Sequence, residues 1–302
     1  MILEISEYGC FVAKVGNRVK VMKKRETLFE VSFDKVEAII IGEGVALSSN
    51  FLLSLSKNNV PLFFSSMAST YFLPSTSLSK PTLRLAQMSL SAEKKKKFIY
   101  NIIKAKMLGQ KQVASLFGFN LQFNLSLNNR EPIKEYVQSA MNKEALFAKD
   151  YWSNISSIFR GFTRTKIGAE DTLNKCLNYG YGIMRYTIEK AIISVGLDPY
   201  MGILHATKDY RTSFVFDLME PFRPFVDFCA FSYLKDDPEK DFDLIKRDYA
   251  KKVVAFFKKE NFIFENSLYD FEKATLLFVR RVASFFLEEQ DFRVPKVSEW
   301  NF

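Results

Sequence analysis

Residues 74–82 read PSTSLSKPT. Two prolines set among serines and threonines interrupt helix and strand alike, so this stretch is a linker or a surface loop. The chain changes character across it. On the N-terminal side stand short β-prone runs, several of them alternating in polarity: ILEIS (2–6), CFVAKV (10–15), RVKVMK (18–23) and LFEVSF (28–33), with Gly9 and Gly16-Asn17 as turns. EAIIIG (37–42), the short helical SSNFLLSLSKN (48–58) and VPLFFSS (60–66) then give a strand, a helix and a strand. On the C-terminal side apolar residues recur at helical spacing in AEKKKKFIYNIIKAKMLGQKQVASLF (92–117), IKEYVQSAMNKEALFAKDYWSNISSIF (133–159), AKKVVAFFKK (250–259) and ATLLFVRRVASFFLEE (274–289). The pattern predicts an α+β chain, with a small β-rich domain over residues 1–78 and a larger all-α domain over residues 79–302. No internal repeat is evident.

Bulk properties narrow the function classes. Of 302 residues 48% are apolar and 15% aromatic, enough for real hydrophobic cores and too many for a disordered chain. Lys and Arg outnumber Asp and Glu by 43 to 34, a net +9 that suits a polyanionic partner, nucleic acid or an acidic membrane surface. No apolar run approaches the roughly 20 residues that span a bilayer, and the N-terminus lacks the basic and apolar regions of a signal peptide. Nucleic acid is therefore the favoured partner, and no membrane association is expected. Cys10, Cys176 and Cys229 are few, scattered and free of any CxxC pairing, which fits a reduced cytoplasmic protein. Between Lys80 and Arg130 ten basic residues face one acid, Glu93. This is either a solvated helix face or a phosphate-contacting flank.

Three places carry unusual chemistry. Along the helix predicted over about 134–159, Val137, Met141, Glu144, Ala148, Tyr151 and Ile155 form one stripe, which puts a carboxylate among apolar side chains. An ion pair or a groove-edge position would explain it, and so would a metal. His205, in GILHATKDY (202–210), is the sole histidine and stands between an apolar run and a polar turn. Asp217 and Glu220, in SFVFDLMEPFRP (213–224), share a face if the segment is helical, and need a cation or a basic neighbour such as Arg211 or Arg223 between them. Together these residues supply one imidazole and several carboxylates, the ligand chemistry of Mg²⁺ or Mn²⁺. With no second histidine and no cysteine pair, zinc is disfavoured.

These residues lie in strings that resemble the CRISPR-associated adaptation integrase, the Cas-one family. KEALFAKDYW (143–152) is similar to its E-x-x-x-A-x-x-Y-[FW] segment. EDTLNKCLNYGYGIMRYTIEKAIISVGLDPYMGILH (170–205) is similar to its D-x-x-N-x-x-L-x-x-G-Y stretch followed by GLDP and G-[FIL]-L-H. SFVFDLMEPFRPFVD (213–227) is similar to S-x-x-x-D-L-M-E-x-F-R-P, and IIIGEGVALSSNFLLSLSKNNVPLFF (39–64) also fits. The resemblance runs through most of the chain in the family's order.

The resemblance implies a function. Glu144, His205 and Glu220 match the family's metal ligands, the last being Asp in some members, and Asp217 matches a second acidic position that matters for activity. Lys208 falls where some members have a DNA-contacting lysine. Arg164 and Lys166 stand in RTKIGAED (164–171), where the family often has a basic, proline-containing stretch; proline is missing here. The implied fold is an N-terminal β domain that joins homodimers and a helical C-terminal catalytic domain. The implied assembly is two such dimers flanking a small dimeric partner, the Cas-two protein, on double-stranded DNA in a prokaryotic cytoplasm. The implied reaction is insertion of a short DNA fragment into a CRISPR array by 3′-hydroxyl transesterification, with endonuclease activity from the same site and Mg²⁺ or Mn²⁺ as cofactor. Two alternatives remain: a transposon-type integrase of the same family, which a chain closing at Phe302 without an added DNA-binding domain disfavours, and a non-catalytic DNA-binding scaffold.

Overall fold

A computed structural model describes the chain except for residues 37, 59, 66–69, 74–79, 160, 166–167, 210, 289–290 and 301–302. The boundary expected at residues 78 and 79, and the linker before it, lie outside the described residues. The fold is α+β. It divides into two compact units, Met1–Gln87 with Lys190–Asp198, and Met88–Glu189 with Pro199–Phe302.

In the first unit every strand expected from the sequence is present: β1 (Ile2–Ile5), β2 (Cys10–Val15), β3 (Arg18–Lys23), β4 (Glu26–Ser32), β5 (Ala38–Ile41) and, after a further short strand β6 (Ala46–Leu47), β7 (Leu62–Ser65). The helix α1 (Ser49–Lys57) precedes β7, and β8 (Thr70–Leu73) follows it. One sheet runs β4-β3-β2-β6 and the other β1-β5-β7-β8. All four residues of β5 are buried, as a central strand with parallel neighbours on both sides requires. α1 begins where the Ser48 side chain accepts from the Phe51 amide at 3.2 Å, and it buries Phe51 and Leu55 in a core with Val12, Val19, Phe33, Ile39 and Leu62. The helix α2 (Pro81–Met88) places Gln87 so that its amide donates to the Asp198 carbonyl at 2.9 Å and accepts from the Asp198 amide at 2.8 Å.

The second unit is built on long helices: α3 (Ala92–Leu116), α4 (Ile133–Ile158) and α5 (Thr172–Val195), whose last residues cluster with the first unit. α6 (Ser213–Met219), a 3-10 turn (Glu220–Phe222), α7 (Arg223–Leu234), α8 (Phe242–Lys258) and α9 (Phe271–Leu287) complete it. One addition to the all-helical expectation is a small sheet of β9 (Phe262–Phe264), β10 (Ser267–Tyr269) and β11 (Lys296–Val297). Its hairpin turns at Glu265 and Asn266, both in the left-handed region that two-residue turns demand. Phe222, Phe256, Phe262, Phe271 and Phe278 are buried, and the Phe271 ring lies 5.3–5.4 Å from those of Phe262 and Phe222.

The buried stripe of α4 differs from the one expected. It runs through Tyr136, Ala140, Phe147, Tyr151 and Ile155, while Met141 is 40% exposed. The large rings of Tyr136 and Phe147 set the rotation of the helix, and Glu144 comes to the margin of the stripe, half-buried. α3 reaches α7 because Gly109 has no side chain: a Cβ there would stand 2.8 Å from Pro224 Cγ. Gly109→Val should therefore destabilise the protein by about 1–3 kcal/mol through overpacking. Thermal unfolding would measure this, and an unchanged midpoint would show that the two helices can part freely.

Candidate active site

Two of the singled-out residues, Glu144 and Glu220, converge on Lys106, which the sequence did not single out, and His205 stands in the same unit. Lys106 comes from the middle of α3, Glu144 from the middle of α4, Glu220 from the turn between α6 and α7, and His205 from the irregular segment before α6. Lys106 Nζ lies 2.7 Å from Glu144 Oε1 and 2.5 Å from Glu220 Oε2. Its side chain is 14% exposed, those of Glu144 and Glu220 21% and 8%. The other Glu220 oxygen accepts from Arg223 Nε at 2.8 Å. Burial alone would raise the Glu220 pKa, but the positive charges of Arg223 and Lys106, with a smaller contribution from His205, hold it well below the usual carboxylate range. Burial likewise pulls the Lys106 pKa down, and the Glu220 and Glu144 charges more than reverse this, so the ammonium persists.

Asp217 does something different. It is fully buried, and its carboxylate accepts the backbone N–H groups of Ile203, Leu204 and His205 at 2.6, 3.0 and 2.8 Å. It also meets His205 Nδ1 at 2.7 Å. A carboxylate only accepts, so Nδ1 carries a proton towards Asp217, and Nε2 is the ring nitrogen left for another partner. Asp217 thus folds the segment that bears His205 and fixes its tautomer in one arrangement. Gly202 is part of that turn, since a Cβ there would fall 2.2 Å from the His205 carbonyl oxygen. The ring edge of His205 packs towards Phe216, itself covered by the guanidinium groups of Arg185 and Arg211 at 5.5 and 5.2 Å.

The donor set suits a hard divalent ion: two carboxylates converge on one cation, and an imidazole is carried by the segment before α6 in the same unit. Among the described residues, however, no three His, Cys, Asp or Glu side chains are gathered closely enough to hold a metal. An ammonium occupies the convergence point instead.

The basic residues have varied fates. Arg164 donates to the Thr165 carbonyl, to Asn174 Oδ1 at 2.7 Å and to Asn178 Oδ1 at 2.8 Å, and stacks over Trp152 and Tyr181. A phosphate at Arg164 would have to compete with these bonds. Lys208 is exposed, bridged by its backbone to Arg211. Lys166 lies outside the described residues. In the basic run, Lys94 binds the carbonyls of Phe286 and Glu288, Lys96 that of Asn129, and Lys97 the carboxylate of Asp291, so much of that charge serves the fold.

A third buried acid appears that the sequence did not single out. Asp227 accepts from Tyr151 Oη at 3.0 Å and from Tyr181 Oη. Arg223 lies 4.8 Å from the centre of the Tyr181 ring, linking this cluster to Glu220. Burial raises the Asp227 pKa to about 6, against the lowering effect of its two tyrosine donors.

Comparison with known proteins gives a consistent picture. The family model described as CRISPR associated protein Cas1 matches residues 3–251. The CRISPR-associated endonuclease Cas1 1 of Saccharolobus solfataricus is 26% identical, over 96% of this chain and 82% of its own. A casposase bound to integration product has the same fold, with a TM-score of 0.69 at 20% identity, covering 97% of each chain. So does a chain of a partial Cas6-RT-Cas1–Cas2 complex, with a TM-score of 0.67 at 14% identity over 97% of this chain and 98% of that one.

The Asp227 environment makes a signed prediction. Its folded pKa lies above its ordinary 3.8, so the cost of burying the charge is present near neutrality and is relieved as pH falls through about 6. Asp227→Asn lacks that relief. Its stability relative to the natural protein should be greatest near neutrality and fall by up to about 3 kcal/mol on acidification towards the carboxylate range. Urea unfolding across that range would read the trend, and a pH-independent difference would show that Asp227 stays ionised.

Proposed function

We infer the function from one premise: the chain belongs to the Cas1 family of CRISPR-associated proteins. On that premise it is a divalent-metal-dependent DNA integrase and endonuclease that inserts short DNA fragments into a CRISPR array. The observation that carries this reading is the meeting of Glu144 and Glu220, from separate helical elements, at one cation position.

In the proposed reaction the 3′-hydroxyl of a captured fragment attacks a phosphodiester at the end of a repeat. A new P–O bond joins the fragment to the attacked phosphate, the old one breaks, and the piece of strand on the 5′ side of that phosphate leaves with a free 3′-hydroxyl. Water in place of the attacking hydroxyl gives cleavage. A Mg²⁺ or Mn²⁺ ion held by Glu144, His205 and Glu220 would supply charge neutralisation at the phosphate and a lowered hydroxyl pKa. The chain's own residues prepare the site. Asp217 holds the His205 segment by three amides and engages Nδ1, so that Nε2 is the ring nitrogen left for a metal. Arg223 fixes one oxygen of Glu220 and leaves the other for the cation. Lys208 is exposed for a phosphate contact, with Arg164 and Lys166 as further candidates.

The partners proposed are double-stranded DNA, a second copy of the chain in a homodimer and the Cas2 protein, with two dimers flanking one Cas2 dimer. The integration product in one structural neighbour and Cas2 in another support the DNA and Cas2 partners. The likeness to a casposase sustains a second reading, a transposon integrase acting on its own element's ends. A repeat array beside the gene favours the first reading and terminal inverted repeats the second. No described helix is long and apolar enough to cross a membrane.

Strand transfer tests the central claim. Protein with and without Cas2, given short duplex DNA and a plasmid carrying a repeat, should join them in Mn²⁺ and not in EDTA. Glu144→Ala, His205→Ala and Glu220→Ala should each abolish joining, and full activity in any of them would remove that residue from the ligand set. Lys208→Ala should weaken DNA binding across sequences and lower the salt slope by about 1. An unchanged slope would remove Lys208 from the phosphate contacts.

A further inference from the structure

Lys106 has no part in the ligand set proposed above, yet its ammonium lies between two of that set's members. Its ammonium is the nearest cation to both Glu144 and Glu220, at 2.7 and 2.5 Å. Two carboxylates converging on one point in a largely buried site repel each other strongly unless a positive charge lies between them. Arg223 answers only the far oxygen of Glu220, and none of its described contacts reaches Glu144. The lysine therefore holds the pair together. Its ammonium engages the carboxylates that Glu144 and Glu220 would offer to a metal ion, so ammonium and ion would compete for them.

We propose that Lys106 is a resident counter-cation: it keeps Glu144 and Glu220 converged while no metal is bound, competes with the divalent ion for them, and withdraws when the ion enters. The proposal rests on Glu144 and Glu220 being metal ligands. Two features of the chain suit it to this exchange. A lysine carries its charge on a flexible four-carbon stem and can move its ammonium by several ångströms while its backbone stays in α3. One helical turn along α3, Gln110 buries a side-chain oxygen that has no hydrogen-bond partner among the described residues. Positions four apart share a helix face, so this oxygen offers the withdrawn ammonium an acceptor. Lys106 would then set the metal concentration at which the enzyme becomes active.

The test is a Mn²⁺ titration of the full-length protein, followed by electron paramagnetic resonance, well above the carboxylate titration range so that protons do not replace the lysine. Wild type, Lys106→Met, Lys106→Arg and Glu220→Ala are compared, each with a thermal melt in EDTA and in saturating Mn²⁺. Removing the competing charge should tighten Mn²⁺ binding in Lys106→Met by at least about tenfold. The same variant should melt lower than wild type in EDTA and recover in Mn²⁺, where the ion replaces the missing charge. Lys106→Arg, which keeps the charge, should bind no more tightly than wild type. If Mn²⁺ binds wild type and is lost in Glu220→Ala, yet Lys106→Met binds equally or more weakly, the competition is refuted while the metal site stands. If neither wild type nor Lys106→Met binds Mn²⁺, both readings fall. Should Lys106→Met fold only when Mn²⁺ is present, the counter-cation role is supported. A failure to fold even with Mn²⁺ overturns it.

Discussion

The ionic contact of Lys106 with Glu144 and Glu220 is the constraint around which the helical unit is arranged. Desolvating two carboxylates and an ammonium costs several kcal/mol per ion, and their attraction offsets this only when the geometry is close. Distances of 2.7 and 2.5 Å satisfy that condition. They can exist only if three backbone segments, α3, α4 and the turn after α6, approach within side-chain reach. A mixed-charge cluster of this kind adds little net stability compared with apolar packing of the same volume. What it adds is position, because removing Lys106 leaves Glu144 without a counter-charge among its described contacts.

The packing follows from that demand. The α3 helix must run close to α7, and the missing side chain of Gly109 beside Pro224 permits it. α4 must present Glu144 at the margin of its apolar stripe and not in its centre, and Tyr136 and Phe147 rotate it accordingly. Behind the cluster, Arg223 has Glu220 on one side and the ring of Tyr181 on the other, and Tyr181 donates to Asp227. Asp227 in turn accepts from Tyr151 on α4, the helix that carries Glu144. The two glutamates are thus tied together twice, directly through Lys106 and indirectly through a chain of buried polar groups.

Much of this was legible in the sequence, and what was missed has identifiable causes. The strands of the first unit follow from short alternating runs bounded by glycine, and the carboxylate at 144 stood out against its apolar neighbours. The phase of α4 did not follow, because a 26-residue helix offers several overlapping stripes, and only the volumes of Tyr136 and Phe147 against their neighbours choose one. The β9–β10 hairpin escaped because its turn is Glu265-Asn266, with no glycine to mark the left-handed conformation. Lys106 was read as one charge in a basic run. Yet it lies three and four residues after Ile103 and Ile102 and four before Gln110, on the buried face of α3, and the rule that marked Glu144 marks it equally. Arg164 stands out through its place in the family's basic stretch, whereas its bonds to Asn174 and Asn178 on another element are a proximity that spacing along the chain does not reveal.

Asp217 and Glu220 show how a three-residue spacing can avoid the repulsion that a shared helix face imposes. In one continuous helix the two carboxylates would share a face. Here the helix changes character between them: α6 ends at Met219 and a 3-10 turn takes over, with Pro221 within it and Pro224 just beyond, both lacking the N–H that regular helix hydrogen bonding uses. The change is accompanied by separate sets of donors. Asp217 is answered by three amides and an imidazole, Glu220 by an ammonium and a guanidinium. Neither acid needs the other's counter-charge, so a cation at Glu220 can be exchanged without releasing the turn that holds His205. That independence is what a site needs if its cation is to come and go while its imidazole keeps its orientation.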